Sequence, residues 1–336
     1  VQLTGAEAGP EADPGARFAG DLARLWPEGA GEAAKLGLAV SGGPDSLALL
    51  LLAHAALPGR VEAATVDHGL RAESAEEARG VARVCADLGV PHRTLAVRVE
   101  LAGDGVQSAA RGARYAALSL WMSEQGLAAL ATAHHADDQA ETLLMRLNRA
   151  SGVAGLAGVR ERGPVPDAGP SAEAGVRHLL LRPLLGWRRS DLAAVVAAAG
   201  LQAVDDPSNA DDRYDRARLR GQLAGAPWLD IPAIARSAAH LADADAALDW
   251  AAEREWREAV EKDGLGLTYR PRAPRAVALR VLARIVTTLD GETPRGAALA
   301  RLFESLLARQ PASIGGLVAR PLAGGWSFMK APKRRG

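Results

Sequence analysis

The apolar positions in the first two thirds of the chain fall into short continuous runs separated by longer, helix-length stretches. LGLAV (36–40) has the length of a strand buried on both faces, and LALLLLAHAAL (47–57) that of a helix. The alternation repeats: VEAATVDHG (61–69) precedes ESAEEARGVARVCADLG (73–89), and HRTLAVRV (92–99) precedes VQSAARGARYAALSLWMSEQG (106–126). LAALATAH (127–134) then precedes DDQAETLLMRLNRA (137–150). Ser74 and Glu77 have the spacing of a capping box, and Gly126 can close its helix. Strands alternating with helices in this way predict an α/β fold, a parallel sheet covered on both faces.

Further on, RERGPVPDAGPSAEAGVRH (160–178) reads as a loop, LLLRPL (179–184) as a fifth strand and WRRSDLAAVVAAAG (187–200) as a helix. After Pro227 the pattern becomes helical: 234–262 is one long stretch, ALRVLARIVTTL and ALARLFESLLARQ add two more, and GGLVARPLAGGWSFMK (315–330) closes as a hairpin. The division this predicts is a flexible extension at 1–17, a parallel-sheet domain at 18–225 and a mainly helical domain at 226–336. No internal repeat is visible.

Composition narrows the class. A chain of 336 residues that is 48% hydrophobic can bury one or two cores. Its single cysteine, Cys85, rules out an intramolecular disulfide and a cysteine-held metal cluster, which fits a cytoplasmic setting. The first twenty residues lack a basic start followed by an apolar core, and no apolar run is long enough to span a bilayer, so neither a signal peptide nor a membrane span is expected. Net charge is zero, but residues 264–336 hold 13 Arg+Lys against 3 Asp+Glu. That basic end is either a solvated face or a surface for a phosphate backbone.

Chemistry concentrates between the apolar runs. Ser41-Gly42-Gly43-Pro44-Asp45-Ser46 stands where the first strand gives way to a helix. Two glycines let backbone N–H groups approach a ligand, Pro44 suits the first helical position, and the helix start favours an anion. Asp45 beside phosphate makes sense with Mg²⁺ between them. A tight turn with a capping Asp is the simpler alternative. Asp67 and His68 end the second strand, for nucleotide contact or for packing. His134 and His135 end the fourth, followed by Asp137, Asp138 and Glu141. Adjacent helical residues face different ways, so one aspartate should serve the site, here Asp138 for the metal, and the other the helix start. Arg111 and Arg114 share a helix face, and Arg216, Arg218 and Arg220 form a guanidinium group able to grip phosphate.

SGGxDS after a strand is the signature of the N-type ATP pyrophosphatases. The stretches SGGPDS, DHGLRAESAEEA, QSAARGARYAAL, ATAHHADDQAETLLMRLNRASGVAGLAG, LLRPLLGWRRSDL and DDPSNADDRYDRARLR together resemble the bacterial tRNA(Ile)-lysidine synthetase family, strongly over 36–230. The resemblance implies an ATP-using ligase that adenylates oxygen 2 of the wobble cytidine of isoleucine tRNA. Free lysine then displaces AMP at carbon 2. It implies that Ser41, Gly42, Gly43, Pro44, Asp45 and Ser46 hold pyrophosphate and Mg²⁺, with Asp138 helping to bind the metal. Asp67, His68, His134 and His135 line the site. Arg111 acts on the reacting groups, and Arg114, Arg216, Arg218 and Arg220 meet tRNA. A homodimer is compatible with it. The chain departs from the family where Asp67-His68 replaces a histidine pair, and longer members carry a further C-terminal domain. Two rival readings share the fold: a tRNA thiolation enzyme, which needs a reactive cysteine, and a non-catalytic nucleotide- or RNA-binding protein. An amidotransferase-type ligase shares SGGxDS but not the other stretches.

Overall fold

Leu36 and Leu38 are fully buried in β1 (Leu36–Ala39), as a continuous apolar run requires. β1 pairs in parallel with β2 (Val61–Asp67) on one side and β4 (Ala129–Ala131) on the other. β3 (His92–Ala96) continues the sheet beyond β2, and β6 (Leu179–Leu181) continues it beyond β4, both in parallel. The order is β3-β2-β1-β4-β6-β5, with β5 (Arg162–Pro164) antiparallel on the edge. β5 lies within the stretch read from sequence as a loop. Three residues are too few to show a period, and an edge position tolerates Pro164. The structure, a computed structural model, describes residues 13–31, 33–69, 74–97, 106–166, 178–202 and 215–331.

Helices cover both faces of this sheet. On one face α1 (Pro14–Leu25), α2 (Pro44–Ala56), α3 (Ser74–Asp87) and α7 (Arg189–Ala198) share a core that includes Phe18, Leu22, Leu49, Leu50, Val81 and Leu192. On the other, α4 (Val106–Gln125) packs Tyr115, Leu118, Trp121 and Met122 against Ala64, Leu130 and Leu180. α2 is apolar nearly all round, which suits a helix buried between neighbours rather than laid on a surface. Gly37 faces α4 at close range: a Cβ there would lie 2.9 Å from both Trp121 and Leu127. Cys85 is buried, and that burial pushes its thiol up to about 11. α1 begins inside the segment expected to be a flexible extension. Asp13 accepts from the N–H groups of Gly15 and Ala16, Pro14 opens the helix, and Phe18 and Leu22 bury one turn apart. Residues 1–12 of that extension lie outside the described residues.

The chain divides into two compact units, Val1–His240 and Leu241–Gly336. The first also contains α5 (Ala136–Leu147), α6 (Val153–Leu156), α8 (Asp215–Ala224) and the start of α9 (Ile231–Ala259). In the second, an antiparallel sheet of order β7-β8-β11-β10-β9 is packed by α10 (Arg275–Asp290) and α11 (Gly296–Leu307). Its strands are β7 (Val260–Asp263), β8 (Gly266–Tyr269), β9 (Ala312–Ile314), β10 (Leu317–Leu322) and β11 (Gly325–Lys330). The hairpin expected at 315–330 is β10–β11; the other three strands are short and escaped the pattern. Trp326 sits edge-on to Tyr269 and Phe303, each 5.7 Å away between ring centres. Glu255 is buried and accepts from Tyr269 Oη and the Arg272 and Ala273 N–H groups. Among the described residues no helix is long and apolar enough to cross a membrane.

Because β1 and α4 meet at Gly37, a methyl group there forces Trp121 or the strand to move. Gly37→Ala is expected to cost about 1–3 kcal/mol. Denaturant unfolding should give a lower midpoint at an unchanged m-value.

Candidate active site

β1 lies at the point where strand order reverses. The chain runs outward from β1 to β2 and β3, then returns to place β4 on β1's other flank. Connections leaving β1 and β4 therefore diverge, and a crevice opens at their carboxyl ends. Into it come residues 41–46 from β1 and residues 132–138 from β4.

The glycine loop is tied to itself. Ser46 Oγ accepts from the N–H groups of Ser41 (3.1 Å) and Gly42 (3.2 Å) and donates to the Gly43 carbonyl (2.9 Å). Ser41 Oγ lies 3.3 Å from Ser46 Oγ. Gly42 has φ +92°, a conformation that glycine adopts without strain. Gly43 caps α2 in extended conformation and Pro44 occupies its first turn. The N–H groups of that turn have no intrahelical partner and face an anion with the helix dipole behind them. Asp45 Oδ1 is buried and has no hydrogen-bond partner.

From β4, the buried ring of His135 enters a group of carboxylates. Its Nε2 is 3.4 Å from Asp45 and 3.6 Å from Asp138, and its Nδ1 is 3.6 Å from Asp137. Burial alone would drive the imidazole neutral; Asp137, Asp45 and Asp138 outweigh it and raise the pKa to about 9. Asp138 also accepts from the His135 N–H at 3.1 Å, as a residue closing the first turn of α5 does. Asp137 accepts from Arg188 (3.2 and 3.3 Å) and from the Arg189 N–H (2.9 Å). Burial opposes its ionisation, but His135, Arg189 and Arg188 hold its carboxyl far below the usual range. Glu141, fully buried one turn on, accepts from Arg220 at 2.9 Å. These pairings tie α5 to α7 and α8, and the sequence reading assigned none of them. LLGWRRSDL belongs to the family-like pattern, but nothing in it says which acid its arginines meet.

A cationic group lies on the α4 side of the same unit. Arg111 and Arg114 stand 5.0 and 5.4 Å from the centre of the buried Tyr115 ring. Burial first, then the Arg114 charge, lowers the His68 pKa against the pull of Asp67, so these two expected residues are neighbours. Arg182, just after β6, is buried and donates to the Arg160 carbonyl at 2.6 Å. Burial lowers its pKa as well. Sequence reading missed Arg182 because it is a single cation in the apolar run LLLRPL.

The other expected residues take places around these groups. Asp67 accepts from the Gly69 N–H (2.9 Å) and Ser74 Oγ (2.7 Å), bracing the turn after β2. His134 Nδ1 is 3.0 Å from Thr132 Oγ1 and half-buried. Arg218 is exposed on α8. Arg216 falls on α8 with its side chain outside the described residues. The crevice thus brings together Ser41–Ser46, His135 and Asp138, with Arg220 held against α5.

Known proteins resemble this chain in sequence and fold. Residues 17–226 fit the family model described as the PP-loop domain. The chain is 50% identical over 322 residues to a tRNA(Ile)-lysidine synthase of Novosphingobium aromaticivorans, covering 95% of this chain and 94% of that protein. The chain belongs to the tRNA(Ile)-lysidine synthase family. A second member, from Zymomonas mobilis subsp. mobilis, is 45% identical over 305 residues, covering 90% of each chain. Among solved structures, a U34-tRNA thiolase from Methanococcus maripaludis shares the fold with a TM-score of 0.51 at 16% identity, over 67% of this chain and 77% of that one. As a member of the lysidine synthase family the chain is a ligase, and its PP-loop domain uses ATP. The family and the α/β class expected from the sequence are both met.

His135 gives this site a measurable pH signature. Its folded pKa is raised to about 9 from 6.5, so the stabilisation is fully present below pH 6.5 and is lost as pH rises through about 9. In metal-free buffer, unfolding free energy should fall between pH 6.5 and 9.5 by on the order of 3 kcal/mol more in the wild type than in His135→Gln.

Proposed function

We propose that this enzyme ligates lysine to carbon 2 of the wobble cytidine in isoleucine tRNA, through an adenylated tRNA intermediate, with release of pyrophosphate and AMP. The observation that carries the reading is the meeting of the glycine loop and His135 across the β1–β4 crevice, with Asp45 between them. In the first step cytidine O2 attacks the α-phosphorus of ATP and the bond to pyrophosphate breaks. In the second the lysine amine forms a bond to C2, the C2–O2 bond breaks, AMP leaves with that oxygen, and the amine gives up its proton.

The residues supply positioning and charge rather than covalent chemistry. The first turn of α2 takes the departing phosphates. His135 is an imidazolium at neutral pH, since its pKa is about 9, so it orients Asp45 and offsets negative charge instead of accepting protons. Asp45 Oδ1, buried and without a partner, fits Mg²⁺, and Asp138 is the second carboxylate beside it. Among the described residues no set of three or more His, Cys, Asp or Glu is arranged as a metal cage. Mg²⁺ binds through one or two carboxylates together with substrate phosphates. Bound there, Mg²⁺ would neutralise pyrophosphate charge. Arg111 and Arg114 supply cations for the α-phosphate or the tRNA backbone. The thiolation reading loses support, because the single cysteine is buried and its thiol is raised to about 11.

The second unit supports a tRNA partner. Arg270, Arg275, Arg280 and Arg284 are paired with acids of that unit. Arg295, Arg301, Arg309, Arg320 and Lys330 are exposed and have no acidic partner among the described residues. Such cations release counterions from a phosphate backbone.

AMP release should require ATP, unmodified isoleucine tRNA transcript and, for stoichiometric product, free lysine. Asp45→Asn should lower AMP release at least about a hundredfold with near-normal stability; full activity in that variant would remove Asp45 from the mechanism. Arg301→Ala with Arg309→Ala and Arg320→Ala should weaken tRNA binding. The slope of log K against log salt should shrink by roughly one for each phosphate that the variant no longer neutralises.

A further inference from the structure

Seven tryptophans punctuate the chain, and most are where hydrophobicity puts them. Trp26, Trp121, Trp187 and Trp326 are buried, and Trp256 carries the Arg284 guanidinium over its ring. Trp250, on α9, and Trp228 are the opposite case, with 67% and 80% of their surfaces exposed, and only Trp228 of the two lies in a turn rather than along a helix. Trp228 stands in Gly225-Ala226-Pro227-Trp228-Leu229-Asp230, between α8 and α9.

That link is short and fastened. The Ala226 N–H donates to the Leu223 carbonyl (3.1 Å) and the Leu229 N–H to the Ala226 carbonyl (3.0 Å). Pro227 fixes the backbone just before the ring, and Asp230 caps α9 by accepting from the Ala233 N–H at 3.0 Å. Both flanks are anchored to α5. Eight residues before Trp228, Arg220 pairs with the buried Glu141; three residues after it, Ile231 packs on Ala136 and Ala140. The indole is therefore presented to solvent from a braced turn, held against the helix whose first turn carries Asp137 and Asp138. Packing does not explain it, because the ring covers almost nothing of its own protein. Exposed arginines lie on both flanking helices, Arg218 on α8 and Arg236 on α9.

An exposed indole on a braced turn, with exposed arginines on the helices either side and its flanks fastened to α5, matches how proteins hold single-stranded RNA, with unstacked bases on aromatic rings and phosphates on arginines. We propose that Trp228 is a stacking platform for one unstacked base of the substrate RNA, next to the nucleotide that enters the crevice. The inference rests on the RNA-modifying reading above and adds the surface that holds the loop open during reaction. Trp228 is a positioning residue: it touches the substrate away from the reacting atoms.

The test compares Trp228→Ala, Trp228→Leu and Trp228→Phe with wild type for binding to an unmodified isoleucine tRNA transcript and for AMP release. Removing one stack corresponds to about 5- to 150-fold in affinity. Ala and Leu variants should show that reduction, Phe should recover most of it, and KM for ATP should stay unchanged. A set of anticodon stem-loops, each with one abasic site in the loop, locates the base. At one position the abasic site and Trp228→Ala should fail to add, since each removes the same stack. Equal binding by all four proteins, or a Leu variant as good as wild type, would overturn the proposal. So would additive effects at every loop position, or a changed sedimentation coefficient with unchanged RNA binding, which would make the ring part of a protein interface. If wild type releases no AMP with this RNA, the functional reading itself fails, and that outcome is separate from an active wild type indifferent to Trp228.

Discussion

Everything at the site depends on β1 being flanked by strands reached in opposite directions. Three residues, Leu36 to Leu38, pair with both β2 and β4 and are sealed above and below by helices. The backbone cannot continue past β1 and β4 on a common course, so their ends part. The parted ends leave the apolar layer and meet water, and that is where SGGPDS and HHADD occur. Gly37 belongs to the same constraint: a strand pressed this closely on α4 has no room for a side chain at that point.

Charge is arranged around this crevice with near-balance. Asp45, Asp137, Asp138 and Glu141 are met by His135, Arg188 and Arg220, so each carboxylate taken out of water has a cation close by. Most of these acids are occupied in holding α5, α7 and α8 together. Among the acids' oxygens Asp45 Oδ1 stands apart, kept dry and without a hydrogen-bond partner. The two ring nitrogens of His135 are likewise buried without a hydrogen bond, 3.4–3.6 Å from their acids, and together with this oxygen they mark where the chemistry needs a hand from outside the chain.

Much of this was legible in the sequence because the relevant signals are local. Strand-length apolar runs, the Gly-Gly-Pro turn and the two aspartates opening α5 can each be read within a dozen residues. The two aspartates divide their work differently from the expectation: Asp138, read for the metal, closes the first turn of α5 by accepting from the His135 N–H, and Asp137, read for the helix start, braces α7. Partners separated by many residues were not legible. Nothing in RARLR announces that Arg220 will find Glu141, or in LLLRPL that Arg182 will be buried near Tyr115. Short elements also escaped: β5, β7, β8 and β9 have three or four residues each, too few for a period to declare itself. The start of α1 was hidden by a Gly, Ala, Pro and Glu-rich composition that resembles a linker, although Asp13-Pro14 is a helix opening.

The hydroxyl of Ser46 has a wider consequence. By gathering the Ser41 and Gly42 amides onto one oxygen and returning its own proton to Gly43, it makes the glycine loop a closed ring of hydrogen bonds that needs no ligand to complete it. Glycine-rich segments lose more freedom than any other when they become ordered. Here that loss falls on folding, once, and is not repeated with every substrate that arrives. The nucleotide meets a finished mould, and its binding energy is left for the reacting phosphorus.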